Sequence, residues 1–489
     1  MNPRNDNMSD YFKSNWVLLL SFLFIMTNSA LIAVEQYWFA IIPFAFVLLL
    51  LAFVATDKLM WFIVFSTPLS LNLEELEFGG VGMFLPTEPL LFGLMLIFFL
   101  KLLYERKFDR KVLYHPMTIA IYIYVTWIFI TTITSTMPFV SLKFLLAKMW
   151  FIVAMYFVGS QMFKTVKNIR LFAWLYLIPL ACIAVYTFVH HSLYGFAERP
   201  AHWVMQPFFK DHTVYGAVVA MMFPIVLMLF SLERYKKYRL PVGLMTVALA
   251  LGIIFSYGRA AWISLCVAFA VSFVYLLKLR GTFVLSATGL VLLFTFIFWG
   301  NIINTLEKNE QDSTSENLGE HVQSITNIST DASNLERLNR WNSAIEMFKR
   351  KPILGWGPGT YAFQYAPFQS SDNLTIISTN AGDGGNAHSE FIGPLAEGGI
   401  LGALTFVLIL VVFYYKASTL YFKLPKGELR QVVFFIILAF TSYIVNGTLN
   451  NFLDTDKASI PFWAFIAIIV CIDINHEKML NEEILQQEK

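Results

Sequence analysis

Apolar runs recur from Trp16 to Ile474, separated by short polar connections, and most are long enough to cross the hydrocarbon core of a bilayer as a helix. They fall at 15–34, 37–55, 59–72, 86–104, 117–134, 144–163 and 171–190 in the first half of the chain. In the second half they fall at 213–232, 240–257, 260–278, 283–300, 390–415, 431–448 and 459–475. The pattern predicts an all-α polytopic membrane protein of about fourteen transmembrane helices, with 59–72 the shortest run. Lysine and arginine gather in alternate connections, at Lys101–Lys111, Lys164–Arg170, Glu233–Arg239, Lys278–Arg280 and Lys416–Arg430. By the positive-inside rule these connections are cytoplasmic, and both termini fall on that side. The opposite connections, 191–212, 301–386 and 449–458 among them, are then periplasmic. The expected organisation is about eleven spans in 1–300, a large periplasmic segment at 301–389, about three spans in 390–475 and a cytoplasmic tail at 476–489.

The periplasmic segment opens with a Ser/Thr/Asn/Glu-rich stretch, Asn301–Ser333, and continues as LERLNRWNSAIEMFKRKPILG. There Leu338, Trp341, Ile345 and Phe348 recur at helical spacing with Arg337, Arg340 and Lys349 between them, which predicts an amphipathic helix on the membrane surface, ended by Lys351-Pro352. Two glycine-rich turns follow, GWGPGT at Gly355–Thr360 and NAGDGGNAH running into His388.

Composition sharpens this picture. Hydrophobic residues make up 57% of the chain and charged residues only 14%, against roughly 25% charged in soluble domains. A net charge of +2 gives no reason to expect a nucleic-acid partner. Cys182, Cys266 and Cys471 all lie in apolar runs without CxxC spacing, so neither a zinc site nor a disulfide framework is expected. There is no Walker loop, HExxH or GxSxG pattern. Asp454-Thr455-Asp456 has the form of a metal-nucleotide DxD, but it falls in a periplasmic connection, where nucleotide sugars are absent.

Ionisable groups at the membrane edge are the candidates for chemistry, because a charge at the bilayer centre costs at least ~2.5–3.5 kcal/mol. Arg259, in SYGRAAW, stands at the outer edge between two runs, where it either snorkels or meets an anion. Arg337 and Arg340 suit a diphosphate or lipid phosphates. His388 begins NAHSEFIGPLAEGGILG, and an imidazole is well suited to accept a proton near neutrality. Glu390 and Glu397 follow it, nearly two helical turns apart, where each could orient His388 or pair with an arginine. Lys210, Asp211 and His212, with His202 before them, either line the same cavity or solvate a helix end.

SYGRAAW, ERLNRWNSAIEMFKRKPILGWGPGTYAF and NAHSEFIGPLAEGGILG, taken in this order over roughly 205–415, resemble the O-antigen ligase and O-antigen polymerase superfamily of bacterial envelope glycan enzymes. The ordered pieces are an arginine four residues before a tryptophan, a Pro-x-x-Gly-x-Gly-Pro-Gly turn, and a histidine followed by Glu-Gly-Gly-Ile-x-Gly. The resemblance implies a GT-C-type glycosyltransferase in the bacterial inner membrane, without metal or other cofactor. Its donor would be a glycan on undecaprenyl diphosphate, and its acceptor another glycan, lipid A core or a protein. It further implies that Arg259 and Arg337, with Arg340 less directly, bind the diphosphate and that His388 is the catalytic base; Glu390, Glu397, His212 and Lys210 are supporting candidates from their position alone. Ser389 stands where many relatives have asparagine, and Lys210–Tyr215 departs from the family pattern.

Overall fold

The computed structural model describes residues 6–34, 39, 55–72, 83–232, 236–279, 332–369 and 385–487. Its elements are helices apart from one short antiparallel pair, Leu71–Asn72 with Phe84–Leu85. In chain order the main helices are α1 (Asp6–Ala33), α2 (Thr56–Ser66), α3 (Thr87–Glu105), α4 (Pro116–Ile133), α5 (Pro138–Met162) and α6 (Val166–Ser192). They continue as α7 (His212–Leu232), α8 (Lys236–Ile254), α9 (Arg259–Leu276), α10 (Ala332–Arg350), α11 (Ile392–Lys423), α12 (Glu428–Leu449) and α13 (Asp456–Gln487). Residues 1–60 form one unit, with α1, and residues 61–489 form another.

Nine helices among the described residues are long and apolar enough to cross a membrane, and Leu18–Ala33 and Tyr238–Ile254 are shorter apolar helices. The chain is a multi-pass membrane protein. Of the expected spans, 37–55 and 283–300 lie outside the described residues, as does the 301–331 stretch. The run at 59–72 is realised as α2, whose 11 residues rise about 16 Å, roughly half the hydrocarbon thickness. Its C-terminal end turns into the strand pair, where Thr67 Oγ1 donates back to the Ile63 carbonyl and Ser70 Oγ to the Asp456 carboxylate.

Local signals set the helix ends. His115 Nδ1 accepts the Met117 amide ahead of Pro116, Thr165 caps α6, and Asp211 caps α7 through the amides of Thr213 and Val214. Within the larger unit, α7 and α9 pack on α12, while α11 packs on α4 and α10. The most apolar stretch of α13 is 83% buried against 33% for α3, which makes α13 a central helix. Large apolar side chains such as Phe129, Val189, Val247, Phe273 and Val411 are exposed on the outside, as lipid-facing surface requires.

Side-chain contacts show how the helix ends are sorted. At one edge His115 and Lys416 both meet Asp473, at 3.1 and 3.0 Å, and Arg170 meets Glu428. At the other edge the 133–138, 254–259, 385–392 and 449–456 connections come together with the glycine-rich turn. Thr136 donates to the Trp356 carbonyl, Ser141 to that of Pro358, and Tyr257 to that of Phe196.

Candidate functional site

The surface helix α10 exists as expected and stops at Arg350, but its buried side is not the apolar stripe. Leu338, Trp341 and Phe348 are half-buried and Ile345 is exposed, whereas Glu336, Asn339, Arg340, Ser343, Ala344 and Met347 face inward. The spacing i, i+3, i+4, i+7, i+8, i+11 is that of one helix face. Its polar inner residues are paired in place: Ser343 donates to the Asn339 carbonyl at 2.8 Å and Asn339 to Gln369 at 3.0 Å. Ala344 and Met347 pack with Tyr361, Tyr365, Ala387 and Ala396, which joins α10 to the turn and to the start of α11.

The turn at 351–360 is stitched to α11 by backbone bonds. Trp356 N–H donates to the Ala396 carbonyl, Gly357 N–H to that of Glu397, and Ile400 N–H to that of Pro352. Gly355 (φ +65°) and Gly399 (φ +66°) take the left-handed backbone at this seam. A Cβ on Gly355 would meet the Glu397 carbonyl, and one on Gly399 the Ile353 carbonyl, so both positions need glycine. Gly399 also kinks α11. Glu397 accepts the Tyr361 amide at 3.1 Å, so its task is to hold this turn.

His388 has φ +48°, a left-handed conformation that costs a non-glycine residue about 1–3 kcal/mol. It is held by its own N–H on Asn386 Oδ1 at 3.0 Å and by its carbonyl, which accepts from the Trp341 indole at 3.4 Å. Burial, and after it the charges of Arg337 and Arg340, push His388 down to about 4, with Asp211 pulling the other way. At neutral pH its imidazole is uncharged. Arg337 is held at about 10 by burial and by the nearby Arg259 charge, again with Asp211 opposing. Arg259, Arg337, Arg340, Asp211 and His388 therefore share one electrostatic neighbourhood, in which Arg259 bears on Arg337, while burial lowers Arg259 itself and Glu198 opposes that shift. Arg259 opens α9 behind a tight turn with Tyr257 left-handed (φ +52°). That turn packs on α7, where a Cβ on Gly216 would touch Ser256 Oγ at 3.1 Å and Ala261 Cβ at 3.3 Å.

The remaining expected site residues differ in what they do. Arg340 is buried and tied, donating to Glu336 at 2.8 Å and to the Asn386 carbonyl at 3.2 Å and lying 4.9 Å over the Tyr365 ring. Glu390 is buried just past the His388 turn, where its Oε1 accepts from the Tyr443 hydroxyl at 2.6 Å and from the Phe452 and Leu453 amides at 2.8 Å each. Burial pushes its carboxyl up and Lys148 pulls it down. Glu390 and Glu397 therefore hold different segments. Lys210 is exposed, and the His212 ring lies 4.2 Å from that of His202. The Asp454 and Asp456 carboxylates turn to separate partners, Lys148 at 2.8 Å and the hydroxyls of Ser70 and Thr87 at 2.6 and 2.5 Å. No group of three or more His, Cys, Asp or Glu side chains suited to a metal is found among the described residues.

Sequence reasoning passed over Lys148, Tyr443 and Asn386, and it weighed Asp211 only with its neighbours. Lys148 carried a usable signal: a lysine inside an apolar run is costly without a partner. Tyr443 and Asn386 carried none, because ordinary residues become informative only through the fold.

No curated protein matches the chain. Residues 244–407 of this multi-pass membrane protein are similar to the family model described as O-antigen ligase, and that stretch holds Arg259, Arg337, Arg340, His388, Glu390 and Glu397.

Proposed function

We propose that the protein is a membrane glycosyltransferase that moves a glycan from undecaprenyl diphosphate to an acceptor hydroxyl on the periplasmic face of the inner membrane, as an O-antigen ligase or polymerase does. The observation that carries this reading is the left-handed turn of His388, fastened through Asn386 and Trp341, with the charges of Arg337 and Arg340 acting on its uncharged imidazole. Guanidinium groups offer a diphosphate both charge and forked hydrogen bonds. His388 takes the proton of the acceptor hydroxyl as that oxygen attacks the anomeric carbon. The bond from that carbon to the diphosphate oxygen breaks, and the diphosphate leaves as an anion stabilised by the arginines. Arg340, committed to Glu336 and Asn386, shapes the site through the chain rather than by gripping the donor.

Transfer by the purified protein, with lipid-diphosphate glycan offered separately to lipid A core, to a second lipid-linked repeat and to peptide, tests this. Transfer to one acceptor, lost in His388→Ala, names the subclass: ligase, polymerase or protein oligosaccharyltransferase. Donor binding without transfer to any acceptor would replace the reading with a transporter of lipid-linked saccharides.

A further inference from the structure

Next to His388 lies a charged network that the proposed chemistry does not use. Its centre is the Leu453 peptide. The Leu453 N–H donates to Glu390 at 2.8 Å, and the Leu453 carbonyl accepts from the Lys148 ammonium, also at 2.8 Å. Lys148 reaches on to Asp454, and Ser459 Oγ adds a second bond, at 2.6 Å, to the Leu453 carbonyl. Glu390 and Lys148 are each 5% exposed, so neither charge is screened by water. With its side-chain amide turned to face Glu390, Asn451 donates to both carboxylate oxygens at 3.1 and 3.2 Å. The Glu390 N–H meets the Gly447 carbonyl at 2.8 Å, and Asn386 Nδ2 reaches the Asn451 carbonyl at 3.3 Å. Asn386 also accepts the His388 N–H. The two residues flanking the Ala387–Ser389 turn are thus both fastened to the 447–453 connection, which Lys148 anchors to α5.

This arrangement matches a mechanical need. The left-handed backbone of His388 persists only where its surroundings over-determine it, and a catalytic group displaced by about 1 Å loses on the order of 10²-fold in rate. We infer that Glu390, backed by Lys148 through the Leu453 peptide, is a positioning residue that fixes the backbone of His388 and so the direction of its imidazole. The inference rests on His388 being the base of the proposed transfer. Glu390 neither touches the donor nor sets the charge state of His388. Three donors converge on one of its oxygens, and the Asn451 amide, turned to face it, donates to both. A carboxylate answers all of them at once, whereas an amide in its place forces the Asn451 side chain to turn over or sets N–H against N–H.

The test compares wild type with Glu390→Gln, Tyr443→Phe and Lys148→Met by donor-to-acceptor transfer and by the rate at which diethyl pyrocarbonate modifies His388, followed by peptide mass. For Glu390→Gln the expected result is a kcat lower on the order of 10²-fold, with donor KM and the pH midpoint unchanged and a several-fold altered rate of His388 modification. Tyr443→Phe and Lys148→Met, which leave the carboxylate in place, should move both readouts the same way by less, and should combine with Glu390→Gln less than additively. Wild-type kcat and wild-type His388 reactivity in a folded Glu390→Gln would overturn the inference, as would a loss confined to donor KM or a shifted pH midpoint. If wild type transfers nothing, the proposed function fails by itself, and the His388 modification rates still decide whether Glu390 fixes that turn.

Discussion

Two buried polar groupings lie at the same membrane edge and differ in how their charges are answered. In the first, Asp456 and Lys457, at the start of α13, are 0% and 1% exposed. Asp456 accepts from Ser70 and Thr87, while Lys457 donates to the Ser70 hydroxyl and carbonyl at 2.5 and 2.9 Å and lies over the rings of Phe84 and Phe209. Asp456 and Lys457 meet at 3.7 Å, and Glu88 is buried beside them. In the second, Arg337 lies in the fields of Arg259 and Asp211, Arg259 in that of Glu198, Arg340 is paired with Glu336, and Arg337 and Arg340 together hold His388 uncharged. The first grouping ties the start of α13 to Ser70 and Thr87. The second gathers three guanidinium groups around a neutral imidazole, a concentration of cationic donors that suits an anionic ligand.

The largest expected break in this comparison is His388→Ala, which should cut transfer by ~10²–10⁴-fold with the thermal midpoint unchanged, measured as kcat in detergent. Asp456→Ala should do the reverse. Leaving Lys457 buried without its anion costs about 3–5 kcal/mol of stability, read as a lowered thermal midpoint, while the pH dependence of the remaining activity stays as in wild type. Arg337→Lys keeps a charge but loses the fork that grips a diphosphate, worth ~1.5–3 kcal/mol, so donor KM should rise by roughly 10-fold to 100-fold. The smallest effect is the most diagnostic. A base must be deprotonated to act, so activity falls as pH drops through the pKa of His388. In the free enzyme that limb lies near 4, because burial and the two arginines disfavour the imidazolium. Arg337→Gln removes one of those charges and should move the acid limb of kcat/KM to higher pH. A bound diphosphate should move the limb of kcat the same way in wild type. An unmoved limb in the variant would remove Arg337 from the neighbourhood of His388.

Much of the fold was legible in the residue pattern, and less of the site. The runs that became α3, α4, α6, α7, α9 and α11–α13 stood at nearly the same residues in the sequence, whereas 59–72 became the short α2, with Ser70 beyond its end drawn to Asp456 on α13. Arg259, Arg337 and His388 were visible as ionisable residues beside apolar runs, in an order that resembled one superfamily. The helix α10 was legible from its spacing, but which face turns to the protein was not: Leu338, Trp341, Ile345 and Phe348 are half-buried or exposed, and the buried face is mostly polar. Glu390 and Glu397, spaced to share a helix face, separated because Glu390 lies ahead of α11 and each found its own backbone donors.

What the sequence by itself determined is the solvent and the type of element. Hydrophobic length is a local property measured against a fixed bilayer thickness. Only the tertiary structure decided which polar groups meet. It brought Lys148 of α5, Tyr443 of α12 and the 451–454 connection next to His388, and it set Asp211, from the cap of α7, within the field of Arg337. Coulomb and hydrogen-bond energies depend on distance in space, steeply so where water is excluded, and no spacing along the chain records that distance.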